Sequence, residues 1–203
     1  MKRAGLFAGL LFLAGCGGTT TAQKTTSTTA PTSTPTTTAT TTTTTTTACP
    51  PFAGGTGTKA SATKPSKTML LTDVQIDSDR CTDRVFLSFR PAAGQQPGYT
   101  VQYRTAAQAQ TEDASGKHLP IAGNAFLVVR LEPAATADLT GAQLKYTYTG
   151  PPKITPSGMR YVREIRKTGD FEGVLTWAIG LSGQRPFTVT SSGSPTSLTI
   201  EIG

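Results

Sequence analysis

From residue 70 onward the apolar residues recur at every second position rather than at helical spacing. Leu70, Val74 and Ile76 alternate with Leu71, Asp73 and Gln75, and Val85, Leu87 and Phe89 alternate with Phe86, Ser88 and Arg90. Tyr99, Val101 and Tyr103 oppose Thr100, Gln102 and Arg104, and the same alternation returns at Leu127, Val129 and Leu131 and at Leu144, Tyr146 and Tyr148. Over 171–181, Phe171, Leu175, Trp177, Ile179 and Leu181 share one parity, with Glu172 and Thr176 on the other. Phe187 with Val189, and Leu198 with Ile200 and Ile202, complete the series. A period of two predicts half-buried strands, and Gly, Pro and Ser clusters separate the runs at 91–98, 115–116, 150–152, 156–158, 182–183 and 192–195. Eight or nine short strands predict an all-β fold, an antiparallel β-sandwich. Only 105–113 and 132–139 could supply a helical turn, and neither offers a broad apolar face.

Before residue 68 this alternation is missing. Residues 50–67 carry Pro50, Pro51, Gly54, Gly55, Gly57 and Pro65 and read as irregular chain. Between 19 and 47, 20 of the residues are threonine, so there is too little apolar surface to offset the cost of ordering the backbone. This segment is expected to be a disordered stalk with the composition of O-glycosylated tracts. Extended at about 3.1 Å per residue, it reaches up to roughly 90 Å.

At the start, Lys2 and Arg3 precede an uncharged run, 4–15, that is rich in leucine and phenylalanine. A positive segment followed by a short apolar one reads as an export signal, too short for the ~20 apolar residues of a membrane span. The run ends in Leu13-Ala14-Gly15-Cys16, which resembles the bacterial lipobox. That resemblance implies cleavage before Cys16 and a diacylglyceryl group on its sulfur. The expected organisation is a leader over 1–15, a lipidated Cys16 with linker over 16–67, and a β-sandwich over 68–203.

Charge and cysteine content narrow the setting. Loss of Lys2 and Arg3 with the leader lowers the net charge from +7 to +5, and the remaining basic residues are interleaved with acids, so no nucleic-acid stripe forms. With Cys16 lipidated, Cys49 and Cys81 are an even pair in an oxidising compartment, which predicts a disulfide. Closing that loop would contribute ~3 kcal/mol through unfolded-state entropy.

Several blocks carry a family resemblance: "DRVFLSFR" at 83–90, "PGYTVQYR" at 97–104, "AFLVVRLEPA" at 125–134, "YTGPPKITPSG" at 148–158, "VREIRKTGDFEGVLTWAIGLSGQRPFTV" at 162–189 and "SLTIEI" at 197–202. They are similar to the AMIN-like domain of bacterial exported proteins, with "GDFEGVLTW" and "RPFTV" the most specific. Two places depart from the family pattern: Cys81-Thr82 replaces a Gly-aromatic pair, and the ending lacks an Arg and an Asp. The resemblance implies kinship with the AMIN domain, a β-sandwich that targets cell-wall amidases and secretins by binding peptidoglycan or septal material. It implies an envelope-binding role without catalysis, and with the lipobox the expected place is the extracytoplasmic side of a bacterial cell membrane, held there by lipid.

The residues agree with an absence of catalysis. His118 is the only histidine, and no strained G-x-S-x-G turn presents a serine to it, so a wall hydrolase is the least supported reading. One histidine builds no histidine-based zinc site, and Asp73, Asp77, Asp79 and Asp83 lack EF-hand spacing and read as solvated strand-end charges. No metal, cofactor or nucleic acid is expected. The candidate ligand-binding residues are Tyr99, Tyr103, Tyr161, Arg163 and Arg166, because aromatic faces stack on sugars and arginine pairs with stem-peptide carboxylates. The alternative is that the domain is a protein-interaction accessory of an envelope complex.

Overall fold

A computed structural model describes residues 48–90 and 94–203. The leader, Cys16 and the threonine tract lie outside the described residues. The expected alternation becomes two stacked sheets built from β1 (Lys59–Ala60), β2 (Met69–Ser78), β3 (Asp83–Phe89), β4 (Tyr99–Arg104), β5 (Ala125–Leu131), β6 (Ala134–Ala135), β7 (Ala137–Asp138), β8 (Lys145–Tyr146), β9 (Lys153–Ile154), β10 (Val162–Phe171), β11 (Val174–Leu181), β12 (Phe187–Gly193) and β13 (Thr196–Ile202). One sheet has the order β1-β4-β5-β11-β10-β9 and the other β12-β13-β3-β2-β6, with β7 and β8 as a separate hairpin. Every pairing is antiparallel except the short parallel contact of β2 with β6.

Eight of these strands exceed two residues, in line with the eight or nine expected. Their inward positions form one core. Val101, Leu127, Val129, Leu131, Ile165, Leu175, Trp177, Ile179 and Leu181 come from the first sheet and meet Leu71, Val74, Val85, Leu87, Phe89, Leu198, Ile200 and Ile202 from the second. Tyr148 closes on Trp177 edge to face, ring centroids 5.6 Å apart. The expected helical turn at 105–113 is α1 (Ala106–Ala109), started by Thr105 in a capping box with Gln108. With Ile121 it covers Phe126 and Ala178 on the outer side of the first sheet. That cover explains why Thr176, of outward parity, is buried: its hydroxyl donates to Asp113.

Some runs differ from the simple alternation. The stretch 171–181 is not one strand, because Glu172 and Gly173 both adopt positive φ, 50° and 75°, and turn the chain back between β10 and β11. Two left-handed central residues make the tight hairpin turn whose twist matches the flanking strands, and Glu-Gly is a less obvious signal for it than Asn-Gly. Phe171 therefore ends a strand, exposed, instead of leading the core parity. A bulge between Leu71 and Asp73 switches the parity of β2, so Leu71 is buried where Leu70 was expected. Leu144 and Tyr146 are exposed on the short β7–β8 hairpin, and only Tyr148 of that run enters the core.

The lead-in segment also engages the sandwich earlier than its composition indicates. Lys59 and Ala60 pair with Val101 and Thr100, and Gly55 exchanges backbone hydrogen bonds with Phe187. The expected Cys49–Cys81 disulfide is present and closes a separation of 32 residues. A loop of that length is worth about 3–4 kcal/mol in chain entropy. A Cys49→Ser, Cys81→Ser variant is expected to lose roughly that much in urea unfolding while its far-UV spectrum remains β, and an unchanged midpoint would contradict the contribution.

Candidate functional site

One end of the sandwich gathers the starts of β3, β10 and β12 and the end of β13. Asp83, the first residue of β3, is fully buried there. Its carboxylate accepts from the backbone N–H groups of Arg160 at 3.1 Å, Tyr161 at 2.6 Å and Val162 at 2.8 Å, and from the Ser78 hydroxyl at 2.6 Å. A strand of the second sheet thereby holds the entry to β10 in the first. Asp83 is thus no solvated strand-end charge. Burial alone would raise its pKa, but donation from Ser78, Val162, Tyr161 and Arg160 outweighs it and holds the carboxyl below the usual range.

Asp79 shapes the adjoining loop. Its carboxylate accepts from the N–H groups of Cys81 at 2.7 Å and Thr82 at 2.8 Å, which hold its pKa low, with further donation from the Arg84 guanidinium. Arg84 also reaches Glu201 at 3.1 Å and Asp77 at 3.4 Å, so its charge is neutralised within the protein.

Between this loop and the disulfide-clipped lead-in lies a groove of about 700 Å³. Pro50, Pro51 and Phe52 form one wall, and Arg80, Arg84, Glu201 and Tyr161 contribute to the rest. The Phe52 ring packs so closely that a Cβ on Gly203 would stand 2.3 Å from it. Tyr161 is buried with the core and two cations approach its ring: the Arg185 guanidinium is 4.6 Å and that of Arg160 5.6 Å from the ring centroid, and Arg160 Nε donates to the Tyr161 hydroxyl at 3.0 Å.

The five candidate residues separate on this frame. Tyr103 joins the Tyr161 end: its hydroxyl donates to Arg185 O at 2.7 Å and accepts from Arg185 N at 2.9 Å, while its ring meets Phe187 edge to face. Arg163 braces the same approach by donating to the carbonyls of Met159, Arg160 and Val162. Tyr99 packs against the core at the far end of β4, where its N–H donates to Ser61. Arg166 is on the outer side of the first sheet, donating to Pro120 O at 3.0 Å and lying 3.7 Å from buried Glu164. His118 is exposed and bridges Thr111. Among the described residues, no three His, Cys, Asp or Glu side chains are grouped to hold a metal.

The chain matches the AMIN-like domain over residues 69–203, two thirds of its length. It belongs to the AMIN-like domain family. No curated protein and no solved structure matches it. AMIN-like domains are extracytoplasmic envelope domains, non-catalytic in general, that bind peptidoglycan. In this AMIN-like domain, reading strands alone misses Arg80, Arg160 and Arg185. Arg185 belongs to the "RPFTV" block, which was the available signal for it.

The depressed pKa of Asp83 has a defined pH consequence. Its contribution is fully present above the ordinary aspartate value, 3.8, and is lost as pH falls through the lower folded value. Asp79, Glu132 and Asp138 shift in the same direction, so the comparison with Asp83→Asn isolates this group. The variant is expected to be less stable at neutral pH by ~3 kcal/mol or more and to lose less stability on acidification below pH 4. Acid unfolding curves that differ from wild type by a constant offset would contradict the role.

Proposed function

We propose that this protein is a lipid-anchored component of the bacterial envelope whose AMIN-like sandwich binds peptidoglycan without catalysing a reaction. The leader over 1–15 is removed, Cys16 carries the lipid, the 16–67 segment spaces the domain from the membrane, and 68–203 binds. The observation that carries the reading is the groove at the disulfide end, with an aromatic ring and arginines beside it, in a chain of a peptidoglycan-binding family. Phe52 and Tyr161 are its aromatic elements, and Tyr103 and Arg163 hold the backbone beside it. Tyr99 and Arg166 belong to the first sheet and lie outside the groove's lining.

A second reading, a protein-interaction accessory of an envelope complex, draws on a different surface. Leu139, Leu144 and Tyr146 are 75%, 53% and 63% exposed around the β7–β8 hairpin. Apolar side chains clustered in the open favour a protein contact.

Purified sacculi distinguish these readings. The full chain in detergent is expected to pellet with them, and its absence from the pellet, together with a defined crosslinked protein partner in cells, would favour the second. For the anchor, Cys16→Ala is expected to yield either released protein or uncleaved precursor. A variant that is still processed and membrane-bound would contradict lipidation at that residue.

A further inference from the structure

Three arginines at the disulfide end carry charges that no carboxylate among the described residues neutralises. Among the described residues the guanidinium groups of Arg80 and Arg185 make no hydrogen bond and no ion pair with a carboxylate, and the guanidinium of Arg160 donates only to the Tyr161 hydroxyl and to Arg80 O. Nearby Arg84 shows the contrast, since Asp77, Asp79 and Glu201 surround it. The acids of this end are thus committed: three to Arg84, and Asp83 to backbone N–H groups.

The three remaining arginines gather around Tyr161, with Arg80 lining the same groove as that ring. Arg160 Nη1 donates to the carbonyl of Arg80 at 3.1 Å, and Arg160 and Arg185 both lie against the ring of Tyr161. Tyr103 fixes the Arg185 backbone by two hydrogen bonds, and Asp83 fixes that of Arg160. Unneutralised like charges gathered at one end of a fold repel, and a bound anion offsets that repulsion. Guanidinium groups suit this task because their fork of donors matches the oxygens of a carboxylate or phosphate.

We propose that Arg80, Arg160 and Arg185 form an oxyanion-binding site beside Tyr161, which takes a phosphate or carboxylate group of the wall polymer. This inference rests on the peptidoglycan reading for the origin of the ligand, but the site itself is defined by the arginines. Wall phosphodiesters and stem-peptide carboxylates supply the same chemistry, so the test has an arm for each.

The full chain in detergent is titrated with tripolyphosphate and, separately, with the tricarboxylate tricarballylate, following the arginine side-chain NMR signals. Its pelleting is then measured with untreated sacculi, with sacculi freed of phosphodiesters by hydrofluoric acid, and with sacculi whose carboxyls have been amidated. The variants are Arg80→Gln and Arg185→Gln, whose guanidinium groups have no hydrogen-bond or ion-pair partner in the described fold. Each is expected to weaken anion binding by about ten-fold or more and to reduce its salt dependence. Loss of pelleting after hydrofluoric acid assigns the group as phosphate, and loss after amidation as carboxylate.

Anion binding that needs Arg185, without retention on any sacculi, would uphold the site and overturn its wall ligand. Retention on sacculi that is unchanged in both variants and after both treatments would overturn the oxyanion site and leave the peptidoglycan reading standing. Absence of both signals would overturn both.

Discussion

The buried carboxylate of Asp83 is the constraint on which this end of the molecule depends. Hydrophobic contact between two sheets resists separation but does not by itself fix where a loop enters a strand. Three backbone N–H groups donating to one ion do so. The ion is tolerated in the interior because four donors replace the water it has lost, whereas removing any of them leaves a costly unsatisfied group. Through this one side chain, the start of β3 determines where Arg160 and Tyr161 stand.

The surrounding groove then follows from short connections. The disulfide clips residue 49 to the loop that Asp79 shapes, and Phe52 packs over Gly203, so chain that composition reads as linker becomes a wall. Tyr103 contributes from the first sheet by holding the Arg185 backbone. Backbone held by hydrogen bonds, with guanidinium groups beside it, suits recognition of a repetitive polymer, where register along the chain matters less than the group recognised. The exposed β7–β8 hairpin is a separate surface with a different chemistry.

Much of the fold was legible because core burial on a sheet has a strict period. Val85, Leu87, Phe89, Val101, Leu127, Val129, Leu131, Leu198, Ile200 and Ile202 are all buried as their alternation requires. The paired cysteines were legible from their parity once Cys16 was set aside. Phe171 and Leu71 were misread because a positive-φ turn and a bulge each shift parity without changing hydrophobicity. Leu144 and Tyr146 alternate correctly but lack an opposing sheet. The site was only half legible. Tyr103, Tyr161 and Arg163 could be named as aromatic and basic candidates, but the role of Asp83 depends on contacts 77 to 79 residues away, and Arg185 is juxtaposed with Tyr161 only by the fold.

Backbone NMR of the ¹⁵N-labelled full chain titrated with soluble peptidoglycan fragments tests the central claim most directly. The account predicts shift changes concentrated at Phe52, Arg80, Tyr161, Arg185 and Thr188 around the disulfide end. Changes confined to the β7–β8 hairpin, or no change at saturating fragment, would contradict it.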